Sequence, residues 1–196
     1  MNKHATVIGI AFILVAVFSA VTLVLTVDKY GAFAETKNEI TPEEGNVYIK
    51  EVRVPPIYSM NEDVRVTVLV EVNNPTRLDI WVYNIEFSLY MFNRTTMANI
   101  GNFQAMEPYY VMVGGFFRYD DPNYLVPSGT NATLESSLAV TTSYKLAILN
   151  TTDPDDGKYY PFVSADLRYE IVDLDILVPV HGLSYFNTLG VDPYLG

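Results

Sequence analysis

Residues 65–90 read RVTVLVEVNNPTRLDIWVYNIEFSLY, and they carry more structural information than any other stretch of the chain. Val64, just before them, and Val66, Val68, Val70 and Val72 fall on one face of an extended segment, while Arg65, Thr67 and Glu71 fall on the other. A period of two with one apolar face describes a half-buried strand. The run ends at Asn73-Asn74-Pro75, where proline withholds a ladder donor and steers the residue before it away from helix. A second apolar stretch follows directly, so the local reading is strand, Asn-Pro turn, strand.

Outward from this unit the same signals recur. Expected strands cover residues 47–54, 63–72, 78–83 and 85–92, and residues 95–103 can pair back across Asn93-Arg94. Residues 131–140 alternate Leu134, Ser136, Leu138 and Val140 against Thr133, Glu135 and Ser137. Residues 162–172 alternate Val163, Ala165, Leu167, Tyr169 and Ile171 against Ser164, Asp166, Arg168 and Glu170. Both patterns fit an antiparallel sheet with one wet face. Residues 174–180 supply a closing strand with Pro179 near its end, where a missing donor costs least, and only residues 142–149 suit a short helix. Short strands separated by turn signals in this number predict an all-β antiparallel sandwich.

With 196 residues, 49% of them hydrophobic, the chain can bury one domain core and still furnish an anchor. The anchor is residues 7–27, which contain no charge and as a helix extend about 31 Å, the thickness of a bilayer hydrocarbon core. Lys3 precedes this stretch and Asp28, Glu35, Glu39, Glu43 and Glu44 follow it, a bias that places residues 1–6 in the cytoplasm and the rest outside. A cleaved signal peptide is the competing reading, because Ala32-Phe33-Ala34 has the A-x-A form; the apolar region is longer than such peptides use. Residues 28–46, acidic and punctuated by Thr41-Pro42 and Gly45, are expected to be a linker. A net charge of −11 disfavours nucleic acid as a partner, and the absence of cysteine removes disulfides, thiolate nucleophiles and thiolate metal ligands together.

The valine-rich strand ending in Asn-Pro and leading into a second apolar strand resembles the signature of the type 2 late-embryogenesis-abundant family, the LEA14-like or WHy domain. The similarity extends over residues 47–181: Ser128-Gly129-Thr130 precedes an alternating strand, residues 144–149 match the short "l-x-x-l" element, and residues 160–169 match the "Y-x-v-x-G/A-x-l" strand. The resemblance implies an immunoglobulin- or fibronectin-like sandwich with a role in stress or desiccation tolerance. An apolar helix ahead of this domain is similar to the plant harpin-induced membrane proteins and to archaeal LEA14-like proteins. Residues 104–124 depart from the family pattern as an insertion.

That insertion, QAMEPYYVMVGGFFRYDDPNY, concentrates Tyr109, Tyr110, Phe116, Phe117, Tyr119 and Tyr124 around Gly114-Gly115, read as a hairpin tip. Aromatic side chains with two rotatable bonds make contact surface at low entropic cost, so the insertion is the candidate interaction surface for a protein partner or self-association. The plainer reading packs the same aromatics on the sandwich. The tail, residues 182–196, carries Leu183, Tyr185, Phe186, Leu189, Tyr194 and Leu195 and must dock on its own domain or a neighbour. Asn93, Asn131 and Asn150 head glycosylation sequons. Catalytic parts are scarce: His181 is the only histidine beyond the anchor, and Asp153-Pro154-Asp155-Asp156-Gly157 lacks the spacing of a calcium loop, so no catalytic residue, metal or cofactor is assigned. The expected protein is a membrane-anchored, extracytoplasmic β-sandwich acting by interaction or surface protection. The other reading is a structural subunit of an archaeal-type surface filament or envelope, or an accessory subunit of a larger membrane complex.

Overall fold

The alternating valines form a strand, with Val66, Val68, Val70 and Val72 fully buried on its inner face. The computed structural model describes residues 3–92, 110–117, 124–172 and 174–195. Helix α1 (Lys3–Glu39) leads into β1 (Val47–Arg53), β2 (Val64–Asn74), β3 (Ile80–Phe92), β4 (Tyr110–Phe117), β5 (Tyr124–Val126), β6 (Thr130–Val140), helix α2 (Thr142–Thr151), β7 (Tyr160–Ile171) and β8 (Ile176–Phe186). One sheet has the order β1-β2-β6 and the other β4-β3-β7-β8, with β5 also paired to β3; every pairing is antiparallel. Their inner faces enclose one core that includes the β2 valines, Ile85, Phe87 and Leu89 of β3, Leu134 of β6 and Val163, Leu167 and Tyr169 of β7. This is the expected β-sandwich.

Several elements differ from the sequence reading. The strands expected at 78–83 and 85–92 are one strand, β3, whose ladder to β7 shifts register between Val82 and Asn84. The extra residue is absorbed as a bulge, and buried Asn84 continues the strand instead of ending it. Gly114 and Gly115 do not form a hairpin tip: they lie inside β4, opposite Phe87 and Glu86 of β3. The closing strand continues to Phe186, so the first residues of the expected tail belong to the sheet. Its register against β7 shifts between Ala165 and Leu167, and Gly182, at φ 82°, supplies the left-handed backbone that such a bulge uses. The strand expected at 95–103 lies outside the described residues.

The remainder of the tail folds back on its own domain. Val191 exchanges backbone hydrogen bonds with Tyr159 (3.0 and 2.8 Å), and the carbonyl of Pro193 accepts from the Ile57 amide at 2.7 Å. Leu189, Tyr194 and Leu195 stay exposed.

A second long-range tie comes from α2. Lys145 is 1% exposed, and its ammonium donates to the carbonyls of Ser59 (3.1 Å), Met60 (3.0 Å) and Glu62, pinning the β1–β2 loop. Methionine keeps the stem's volume but leaves three carbonyls without their donor. Lys145→Met is expected to lower stability by about 2 kcal/mol, since a hydrogen bond to a charged group contributes about 1.5–3 kcal/mol and an opened loop can recover water. Denaturant unfolding of the full chain in detergent, followed through the single tryptophan, Trp81, measures it.

Candidate functional site

The segment expected as a linker is helical as far as Glu39, because residues 28–39 contain no proline and place Ala32, Thr36 and Ile40 at i, i+4 and i+8. All three are buried, and Phe33 packs beside them against the sandwich core. The helix stops just before Thr41-Pro42, as the restriction on residues preceding proline requires, and the Asn46 side chain caps the Glu39 carbonyl at 2.8 Å. The apolar half of α1 is therefore joined to the domain by a packed helical segment.

Polar groups set the position of this seat. Thr36 turns its hydroxyl to the Ala32 carbonyl (2.8 Å) and to the Thr76 hydroxyl (3.3 Å), and Tyr169 donates its hydroxyl to the Thr36 carbonyl (3.3 Å). Burial drives the Tyr169 phenol well above its ordinary pKa, which keeps it a donor. Thr76 is held by the Asn-Pro turn. The wholly buried Asn74 side chain donates to the carbonyls of Leu78 (2.8 Å) and Val126 (3.0 Å) and accepts from the Thr76 amide (3.2 Å) and hydroxyl (2.7 Å). The next residue, Arg77, reaches Asp28 (3.0 Å) and Glu35 (3.3 Å) on α1. These ion pairs are about half exposed, so they orient the helix more than they stabilise it.

Where the uncharged part of α1 ends, two open clefts flank the helix. One, of about 260 Å³, is lined by Thr26, Lys29, Tyr30, Phe33, Leu174 and Ile176. The other, of about 370 Å³, is lined by Asp28, Lys29, Ala32, Arg77, Leu78 and Leu174. From Phe12 onward α1 is long and apolar enough to cross a membrane, and none of its most apolar window is buried.

The sequence candidates are dispersed. Tyr124 lies in β5 opposite Val82, half-buried against the core. Tyr110, Phe116 and Phe117, of which the backbone alone is described, lie in β4 opposite Met91, Ile85 and Asn84. Tyr109, Tyr119 and the sequon Asn93 lie outside the described residues. Asn131 is exposed at the start of β6, where its amide donates to Glu71 at 3.3 Å; Asn150 is exposed in the last turn of α2. Glu71 also accepts from Lys50 and Thr133, both at 2.7 Å, and these bonds hold its carboxyl below the usual pKa. His181 sits at the β8 bulge, 3.1 Å from Asp166, both largely exposed. In the acidic turn, Asp153 accepts from the Asp155 amide and Asp156 from the Lys158 amide and the Tyr160 hydroxyl, so the loop uses its own carboxylates. Among the described residues no group of three or more His, Asp or Glu is arranged to hold a metal ion.

Sequence reasoning missed the seat. Its one available signal was the i, i+4, i+8 spacing of Ala32, Thr36 and Ile40; the Arg77 contacts join residues more than forty positions apart and leave no local trace.

The described residues thus define an antiparallel β-sandwich packed on the C-terminal end of one long apolar helix. No known family model and no curated protein matches the chain. Among solved structures it is similar to an Arabidopsis thaliana protein solved in solution, at 11% identity over 74% of this chain and 80% of that one with a TM-score of 0.46. A crystal structure from Archaeoglobus fulgidus aligns at 13% identity over 71% and 94% of the two chains, with a TM-score of 0.42. A solution structure assigned provisionally to the late-embryogenesis-abundant (LEA) proteins aligns at 12% identity over 82% and 86%, with a TM-score of 0.39.

Proposed function

We propose that this chain is a single-span membrane protein that holds a LEA14-like β-sandwich outside the cell and acts by interaction or surface protection, without catalysis. The observation that carries the reading is α1 itself, which passes unbroken from an apolar, unburied stretch into the packed seat of the domain. Cleavage after Ala34 would discard Ala32 and Phe33, two of the three apolar residues of the seat, which argues against a removable signal peptide. The expected result is an intact N-terminus by mass analysis, retention of the protein in alkaline-washed membranes, and a sandwich open to protease only from the outer side. A mature N-terminus at Glu35 overturns the anchor.

The same helix favours one further reading, a filament subunit, because an exposed apolar half continuous with a packed half lets neighbouring copies bundle their helices while displaying their domains. A prepilin-type site is poorly formed at Lys3-His4-Ala5, and a mature N-terminus at His4 or Ala5 decides for the filament.

For the partner, the proposed surface is the aromatic insertion together with the exposed tail residues Leu189, Tyr194 and Leu195. Binding energy concentrates in a few aromatic anchors, so Tyr110→Ala or Phe117→Ala is expected to weaken association by about 1–3 kcal/mol. Co-purification from native membranes, comparing the wild type with a chain whose residues 105–123 are replaced by a short Gly-Ser loop, checks it. Loss of the partner at an unchanged melting temperature supports the interface; retained partners with a large loss of stability show the aromatics to be core.

A further inference from the structure

We propose that the β7–β8 turn is a second membrane contact: Leu174, Ile176 and Leu177 enter the outer interfacial layer beside α1, and the cleft that Leu174 and Ile176 share with Tyr30 and Phe33 receives lipid hydrocarbon. This inference rests on the anchored reading and adds to it a fixed orientation of the domain on the bilayer.

The first argument is height. The cleft is lined by α1 residues from Thr26 to Phe33 on one side and by Leu174 and Ile176 on the other. The uncharged stretch ends at Val27, so the cleft begins at the edge of the hydrocarbon core. Seven residues of helix rise about 10 Å, enough to traverse the polar layer, which adds roughly 5–7 Å to each side of the bilayer core. The packed seat leaves no slack to lift the turn away, since Thr36 and Ile40 are buried in the domain only a few residues further on.

The second argument is composition. On a chain with net charge −11, this turn exposes three aliphatic side chains, Val172 and, on opposite faces of β8, Ile176 and Leu177, and Leu177 is 59% exposed. Water is a poor environment for these side chains, whereas an interfacial layer accepts aliphatic side chains to a depth of about 5–10 Å. Tyr30, 69% exposed on the facing helix, has the amphipathic ring favoured at that level.

The third argument is charge. Arg77 occupies Asp28 and Glu35, which leaves Lys29 as the exposed cation on the cleft rim, placed to meet a lipid phosphate. Asp175 is exposed in the same turn, and the proposed orientation requires its carboxylate to reach the aqueous side of the layer. Tyr58, exposed in the β1–β2 loop, marks the opposite end of the domain, separated from the Asn-Pro turn by the length of β2, about 35 Å for its eleven residues.

The chain contains no cysteine, so single nitroxide labels can be placed through Leu25→Cys, Leu177→Cys and Tyr58→Cys in the full-length protein, reconstituted in phosphatidylcholine nanodiscs. Collision rates with oxygen, which partitions into lipid, and with a water-soluble nickel chelate report the depth of each label. Unchanged melting temperatures in detergent verify that the labelled chains are folded. The expected result is oxygen-dominated relaxation at position 25, nickel-dominated relaxation at position 58, and at position 177 a clear shift from the nickel side toward the oxygen side. A label at 177 that matches 58 while 25 is in lipid overturns this inference and leaves the anchor standing. A label at 177 shielded from both reagents assigns the turn to a protein neighbour and also overturns it. Nickel access at position 25 overturns the anchored reading and this inference with it.

Discussion

Phe87→Ala is expected to lower the stability of the sandwich by about 3–5 kcal/mol, because truncating a buried aromatic forfeits its transfer free energy and leaves a cavity that a packed core closes only in part. Phe87 is 2% exposed at the centre of β3, opposite Ala165 of β7 and Gly114 of β4. Both partners are small, so neither can swing a side chain into the void. Glu135→Gln, on the exposed face of β6, is the matched control and should remain within about 0.5 kcal/mol of the wild type. Guanidinium unfolding monitored through Trp81 gives both values. An unchanged midpoint for Phe87→Ala would mean that β3 is shifted by one residue, since a slip of one exchanges the faces of a strand.

How far the sequence could be read depended on whether the deciding contacts were local. In β2 and β7 every second side chain faces the core, so the faces of Val68, Val70 and Leu167 followed from alternation alone, and all three are fully buried. Asn84 interrupted that pattern with a polar residue, and what keeps the strand going is a bulge against β7, a pairing across some eighty residues. The glycines of β4 carried a turn signal that pairing with β3 overrides. Residues 28–39 looked like a linker because their surface is charged; the stripe that makes them helix and seat is a few small or apolar residues whose partners, Thr76 and Tyr169, lie far along the chain. The Asn-Pro turn was legible as a turn. Its second task, holding the residues that hold the helix, was not.

That second task makes Asn74→Ala the other large effect to expect, a loss of about 3 kcal/mol accompanied by loosening of α1. The wholly buried amide of Asn74 makes four hydrogen bonds, and alanine leaves the carbonyls of Leu78 and Val126 and the amide of Thr76 without those partners. Each ordinary hydrogen bond contributes about 0.5–1.5 kcal/mol net, and a buried group left unpaired costs about 1–3 kcal/mol, so even partial relaxation keeps the total large. Asn74→Asp does not rescue it: the carboxylate can still accept from Thr76, but it turns an oxygen toward two carbonyl oxygens in a site closed to water. Asn73→Ala removes a single half-buried bond to Asn46 (2.8 Å) and should cost about 1 kcal/mol or less. Because Thr76 contacts Thr36, and Arg77 reaches Asp28 and Glu35, a displaced turn releases the helix from the domain. Trypsin, probing Lys29 and Lys37 in the full chain in detergent, should then cut Asn74→Ala faster than Lys145→Met, which damages the β1–β2 loop at the other end of β2. Equal cutting rates for the two variants would reduce the Asn-Pro turn to a connector and separate the seat from the motif.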